Sequence, residues 1–330
     1  MESSEFYLNR VAQASPEIRV EPGHSGYFNA PDSRLDPNLF HGDVLRPEVR
    51  EGIINRFYEY MQNRYRGAYN WSRLWLAGSG ISYQWAGDRG NGDLDVMVGV
   101  DPVTFRRSNP TMAGLSNAEL ADWINAELKR SLWPTTAETR FGGKTYELTF
   151  YWNVDTDASP GGVKAIHPYA AYDVTGNTWT IRPPQLPADP HSLYPAEWWK
   201  QINAEAQRAN TIIGRYNDAR HRAASTTGPG HVNAMTELRI AASQAAALFD
   251  DIHKGRQAAF GPDGAGYGDW ANFRWQAHKS LGTGPALAEI TSVARSGRQE
   301  ADVATYGSQV EDAAQARVKA LLWANRGIQR

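Results

Sequence analysis

Two short runs of the chain carry residue types that could do chemistry together. Gly78-Ser79 closes an apolar run, and after a spacer of thirteen residues comes Asp93-Leu94-Asp95-Val96. Side chains alternate across an extended strand, so Asp93 and Asp95 point to one face while Leu94 and Val96 point to the other. Two carboxylates this close repel unless a cation stands between them, and hard oxygen donors suit a divalent ion such as magnesium. Upstream, a glycine turn lets backbone come close to a ligand, and the N–H groups after it face an anion such as a phosphate. Either half alone would suit an ordinary turn or a solvated strand end. Both halves in this order, followed by an apolar strand, favour a site for metal and triphosphate.

The elements that must position these residues are short strands. Leu74-Trp75-Leu76-Ala77 is an apolar run that reads as a buried strand feeding the turn, and Leu94 to Val100 is apolar and partly β-branched, again a strand. From Leu76 to Val98 the chain resembles the signature of the polymerase-beta-like nucleotidyltransferase superfamily. That pattern is hydrophobic, Gly, Gly or Ser, a spacer, then Asp, hydrophobic, Asp or Glu, hydrophobic. Leu76-Ala77-Gly78-Ser79 and Asp93-Leu94-Asp95-Val96 fill every slot, with the thirteen-residue spacer at the long end of the usual range. The resemblance can be followed from residue 74 to about 155. It implies that Ser79 and the backbone around Gly78 hold the β- and γ-phosphates, that Asp93 and Asp95 bind two Mg²⁺ (or Mn²⁺) ions, and that a third carboxylate on a later strand completes the site.

Thr145 to Val154, after a turn at Arg140 to Lys144, is rich in strand formers. Tyr146, Leu148, Phe150 and Trp152 make one face, and Glu147, the only acid of the strand, lies on the other, which selects it as third ligand. Asp173 is the alternative; it precedes Thr175-Gly176-Asn177-Thr178, which reads as a two-residue hairpin, a setting where aspartate is often structural. Asp155 and Asp157 form a second Asp-x-Asp, but Ala-Ser-Pro-Gly-Gly follows them and marks a loop.

The wider chain reads as an α+β fold, a mixed sheet flanked by helices followed by a helical bundle. Residues 1–45 are rich in turn formers and read as an irregular extension, 46–190 as the catalytic domain, and 191–330 as a helical domain closing over the nucleotide, with Arg182 to Pro190 as a proline-rich linker. Ile53, Ile54, Phe57 and Met61 fit a helix over Arg46–Tyr65, and Ser116-Asn117-Ala118-Glu119 fits a capping box opening a helix to Leu132. Beyond the linker, helices are expected from Pro195 to about Ala223, from about Met235 to a glycine stop at Gly255, and from Ala301 to Asn325. The resemblance implies that a helical domain of this kind supplies cations to the triphosphate and a ring to the base. Lys254, Arg256, Arg274 and Lys279, with Trp270 or Trp275, are the candidates; basic residues near helix ends equally serve the helix dipole, and tryptophans the core. Arg89, in the spacer, either neutralises leaving pyrophosphate or is a solvated loop residue.

Composition narrows the function classes. With no cysteine there is no disulfide scaffold, zinc-thiolate site or cysteine nucleophile. A net charge of −2 disfavours a long nucleic acid partner, since tracking a phosphate backbone takes a basic surface. The acidic start and the lack of a long apolar run suggest neither signal peptide nor membrane span, hence a cytoplasmic protein. The expected activity is transfer of an NMP from an NTP to an acceptor hydroxyl. Nucleotide, small molecule, RNA end and protein all stay open as acceptors. The alternative is a non-catalytic nucleotide-sensing or scaffold protein that keeps the fold.

Overall fold

The computed structural model describes residues 17–306, except 24, 86–91 and 262, and in addition Ala320. Its described residues fall into two compact units that do not follow sequence order. One combines 26–193 with 260–267, and the other combines 17–25, 194–259 and 268–306.

The first unit is α+β. A small hairpin of β1 (Phe40–His41) and β2 (Val44–Leu45) precedes a helix, Pro47–Gln62. Pro47 sits at the first helical position, where a missing N–H costs nothing, and Val49, Ile53, Phe57 and Met61 recur every four residues as one buried stripe. The main sheet comprises β3 (Ser72–Ala77), β4 (Gly92–Val100), β5 (Thr139–Phe141), β6 (Lys144–Tyr151), β7 (Ala171–Asp173) and β8 (Thr178–Ile181) in the order β5-β6-β4-β3-β7-β8. Only β4 and β6 pair in parallel; the remaining neighbours are antiparallel. The crossover between them includes the helix Asn117–Glu127, capped by Ser116 and Glu119 as a full capping box. Leu74, Leu76, Leu94, Val96, Val98, Leu148 and Phe150 pack with Phe57, Leu120, Ile124 and Leu128 in one large core. On the opposite face Trp75, Met97 and Ala171 form a smaller cluster with Val163 and Ile166. β7 and β8 form the expected hairpin, but its connection is longer than two residues, because an Asp173 carboxylate accepting from the Gly176 N–H shapes the turn.

The second unit is helical. Its helices span Ala196–Ser225, Gly228–Ala259, Trp270–Ser280 and Thr283–Tyr306. Two sequence expectations are corrected here. Gly255 does not stop a helix: it lies inside Gly228–Ala259, where a Cβ would make an ordinary contact, 3.4 Å from that of Ala271. The last helix begins at Thr283 rather than Ala301, after Gly282 at φ +78° ends the preceding turn; its expected continuation past Tyr306 falls outside the described residues. The core runs along Ile212, Ile213, Tyr216, Leu238, Ala241, Ala245, Leu287 and Ile290. Among the described residues no helix is long and apolar enough to cross a membrane.

A partly buried ionic network ties this unit together. Arg274 forks onto both Glu205 carboxylate oxygens, with Nε donating at 2.7 Å, and its Nη2 also donates to Asp251 at 2.7 Å. His278, fully buried, places Nε2 3.0 Å from Glu205 and Nδ1 2.7 Å from the Thr283 hydroxyl. Burial raises the Glu205 pKa, yet hydrogen bonds and charge from His278 and Arg274 outweigh it and hold the carboxyl at about 2 instead of the ordinary 4.5. Because the folded value is depressed, this contribution is present above pH 4.5 and disappears as pH falls toward 2. Glu205→Gln is expected to cost about 3 kcal/mol at pH 7, and calorimetric melting temperatures of wild type and variant should converge through that acidic window. A gap that persists to pH 2 would contradict this account.

Candidate active site

The site starts where β3 runs out. Ala77 pairs with Asp95, and Gly78 then turns at φ +88° and ψ −168°, a region essentially reserved for glycine. Its N–H donates to the Ala170 carbonyl at 3.3 Å. Ser79–Ile81 forms a single 3₁₀ turn, closed by the Ser82 N–H at 3.0 Å and the Ser82 hydroxyl at 2.8 Å, both donating to the Ser79 carbonyl. Ile81 is buried beneath it, while Ser79 stays half-buried. The turn lies so close on β4 that a Cβ at Gly78 would come to 3.3 Å from Asp95 Oδ2, and one at Gly80 would run into the Asp93 carbonyl.

Burial of Leu94 and Val96 on the core face forces Asp93 and Asp95 onto the other, where Asp93 is exposed and Asp95 half-buried. Parallel pairing sets Glu147 directly beside Asp93 and Thr149 beside Asp95. The Glu147 Oε1 accepts from the Trp133 indole N–H at 2.9 Å. Among the described residues no three acidic or imidazole side chains stand close enough to hold one ion. Asp173 is differently placed: β3 lies between it and β4, with Trp75 as its pairing partner. It is buried, accepts from Arg73 Nε at 2.8 Å and Nη2 at 2.5 Å, and shapes the β7–β8 turn at Gly176. Asp157 accepts from the Ser159 N–H at 2.7 Å in a loop turn.

The remaining candidates scatter. Arg89 lies outside the described residues. Within the helical unit Lys254 and Lys279 are exposed, and Arg274 is committed to Glu205 and Asp251. Arg256 stands over the Trp275 ring at 5.1 Å, and Trp270 packs against Trp198 and Phe273. Sequence reasoning missed Trp133 altogether. The one signal was Trp133-Pro134 at the expected helix end, an aromatic residue just ahead of a residue that disturbs helix geometry.

No protein-family model matches the chain, and neither does any curated protein or solved structure. What the site can hold is therefore judged on its own donors. Asp93, Asp95 and Glu147 are all hard carboxylate donors with no thiolate or imidazole among them, and the Gly78 turn packs directly on the strand that carries the first two. As donors these carboxylates match Mg²⁺ or Mn²⁺ better than zinc or copper, though as placed the three do not form one cluster.

Two substitutions separate the roles. Gly78→Ala is expected to cost about 1–3 kcal/mol in urea denaturation, because alanine cannot hold this backbone without strain. Asp173→Ala, which strands Arg73, should cost about 3–5 kcal/mol while leaving Mn²⁺ binding by the native fraction intact. Loss of Mn²⁺ binding in Asp173→Ala with retention in Glu147→Ala would reverse the choice of third ligand.

Proposed function

We propose that the protein is a metal-dependent nucleotidyltransferase, moving an NMP from an NTP to an acceptor hydroxyl with release of pyrophosphate. The single observation behind this reading is the in-register grouping of Asp93, Asp95 and Glu147 on one sheet face, next to a glycine turn that approaches them closely. Asp93 and Asp95 would hold Mg²⁺ or Mn²⁺, with Glu147 as third carboxylate. When bound, two such ions lower the pKa of the attacking hydroxyl and offset charge on the leaving phosphates.

The chain's own part is positioning and charge complementarity. The glycines of the Gly78–Gly80 turn let it pack close on strand β4, which would bring the β- and γ-phosphates beside the carboxylates, with the Ser79 hydroxyl to donate to them. The acceptor oxygen forms a bond to the α-phosphorus as the bond from that phosphorus to the β-phosphate bridging oxygen breaks. Pyrophosphate takes the electron pair, and the hydroxyl proton passes to a nearby base, for which Glu147 is the suitable group. The acceptor class is a nucleotide, a small molecule, an RNA end or a protein hydroxyl.

The purified protein with Mn²⁺ or Mg²⁺ and each α-labelled NTP should release pyrophosphate or transfer label to itself, a nucleotide or an added acceptor. Asp93→Ala and Asp95→Ala should each lower the rate by about 10²–10³-fold with unchanged circular dichroism. Undiminished activity in the double variant would sink the proposal, and nucleotide binding without turnover would favour a sensing role instead.

A further inference from the structure

We infer that Trp133 is a positioning residue for Glu147, fixing one carboxylate oxygen so that the other is presented to a divalent cation beside Asp93; this rests on the nucleotidyltransferase reading of the site. The geometry that delivers Trp133 is unusual. The helix Asn117–Glu127 continues into a π turn, Leu128–Leu132, in which the Trp133 N–H reaches back to the Leu128 carbonyl, five residues away. Pro134 explains why. It has no N–H to offer the Arg130 carbonyl, and in an α-helix its ring would crowd that carbonyl; a widened turn relieves the clash. One additional residue in the turn rotates everything after it by about 100°.

That rotation sets the short helix Trp133–Thr136 against β6. Thr136, fully buried, donates from Oγ1 to the Leu148 carbonyl at 2.8 Å, so the helix is anchored one residue beyond Glu147. Three residues before Thr136 and on the same side of the helix, Trp133 points its indole N–H at Glu147 Oε1 at 2.9 Å. Trp133 is 39 % exposed, a large exposure for an indole in a unit where Trp71, Trp75 and Trp152 are almost wholly buried. Its hydrophobic burial therefore explains little of its placement. A hydrogen bond to an ionised acceptor is stronger than a neutral one, and indole is a donor only, so it binds Glu147 solely as a hydrogen-bond acceptor. A metal-ligating carboxylate held by an outer hydrogen bond keeps its orientation and loses less freedom on binding.

The test is equilibrium binding of Mn²⁺ alone to the full-length protein, read from the electron paramagnetic resonance signal of the free ion. Trp133→Phe, which keeps a ring but loses the N–H, is expected to weaken Mn²⁺ binding by about 10- to 100-fold. Trp133→His, which retains a ring N–H, should recover part of that loss. In a Glu147→Ala background Trp133→Phe should change nothing further, because its effect runs through the missing carboxylate. Unchanged affinity in Trp133→Phe, or additive losses in the double variant, would overturn the positioning role while Mn²⁺ binding abolished by Asp93→Asn still upheld the metal site. Failure of the wild-type protein to bind Mn²⁺ would overturn both.

Discussion

The parallel pairing of β4 with β6 is the constraint from which the candidate site follows. Strands have a side-chain period of two, so the burial of Leu94, Val96, Leu148 and Phe150 against the helix Pro47–Gln62 leaves Asp93, Asp95 and Glu147 no choice of face. A slip of one residue in either strand would drive a carboxylate into an apolar core, at a cost of several kcal/mol for an unpaired ion. The register that protects the core is the same register that sets Glu147 beside Asp93. The geometry of the candidate site and the specificity of folding thus rest on one set of hydrogen bonds.

Parallel neighbours cannot be joined by a tight hairpin, so the chain needs a crossover between β4 and β6. In this protein the crossover brings more than connection. Residues 101–143 carry the capped helix Asn117–Glu127, the π turn and Trp133–Thr136, and return through β5 to β6. The segment buries Leu120, Ile124, Leu128 and Leu132 on the sheet, and then Pro134 spoils the regular helix where its end meets the open edge of the acidic face. A regular α-helix here would clash with the Pro134 ring and aim Trp133 elsewhere. Local geometry of this kind, costly by itself, is what functional sites commonly retain.

Much of this was legible in the sequence for an identifiable reason. Alternation in β4 and β6, the capping box at Ser116 and the glycine at position 78 are local signals, each tied to a few consecutive residues, and each marks an element that forms where it was expected. What escaped were pairings between distant residues. Arg73 with Asp173, Glu205 with Arg274 and His278, and Trp133 with Glu147 each join side chains whose relation depends on topology. Gly255 misled because a lone glycine reads as a helix stop, whereas a long packed helix carries its modest propensity cost and runs on to Ala259. The division into units was hidden likewise: residues 26–45 and 260–267 both belong with the sheet, and composition carries no trace of that return.

The acidic face is also divided along its length, and the division bears on what can bind there. Toward Trp75 and Met97 the sheet is sealed by Val163 and Ile166, an apolar plug with Ala171 beneath it. Two residues back toward the start of β4 the covering stops and Asp95, then Asp93, emerge. Carboxylates placed at the rim of such a plug face low-dielectric protein on one side and water on the other. On the proposed reading, the protein side would strengthen the attraction for a cation, while the open side would let it keep several of its waters. A fully buried carboxylate cluster would instead drive protonation of its members. A half-open setting avoids that desolvation and suits the proposed metal better than a buried one would.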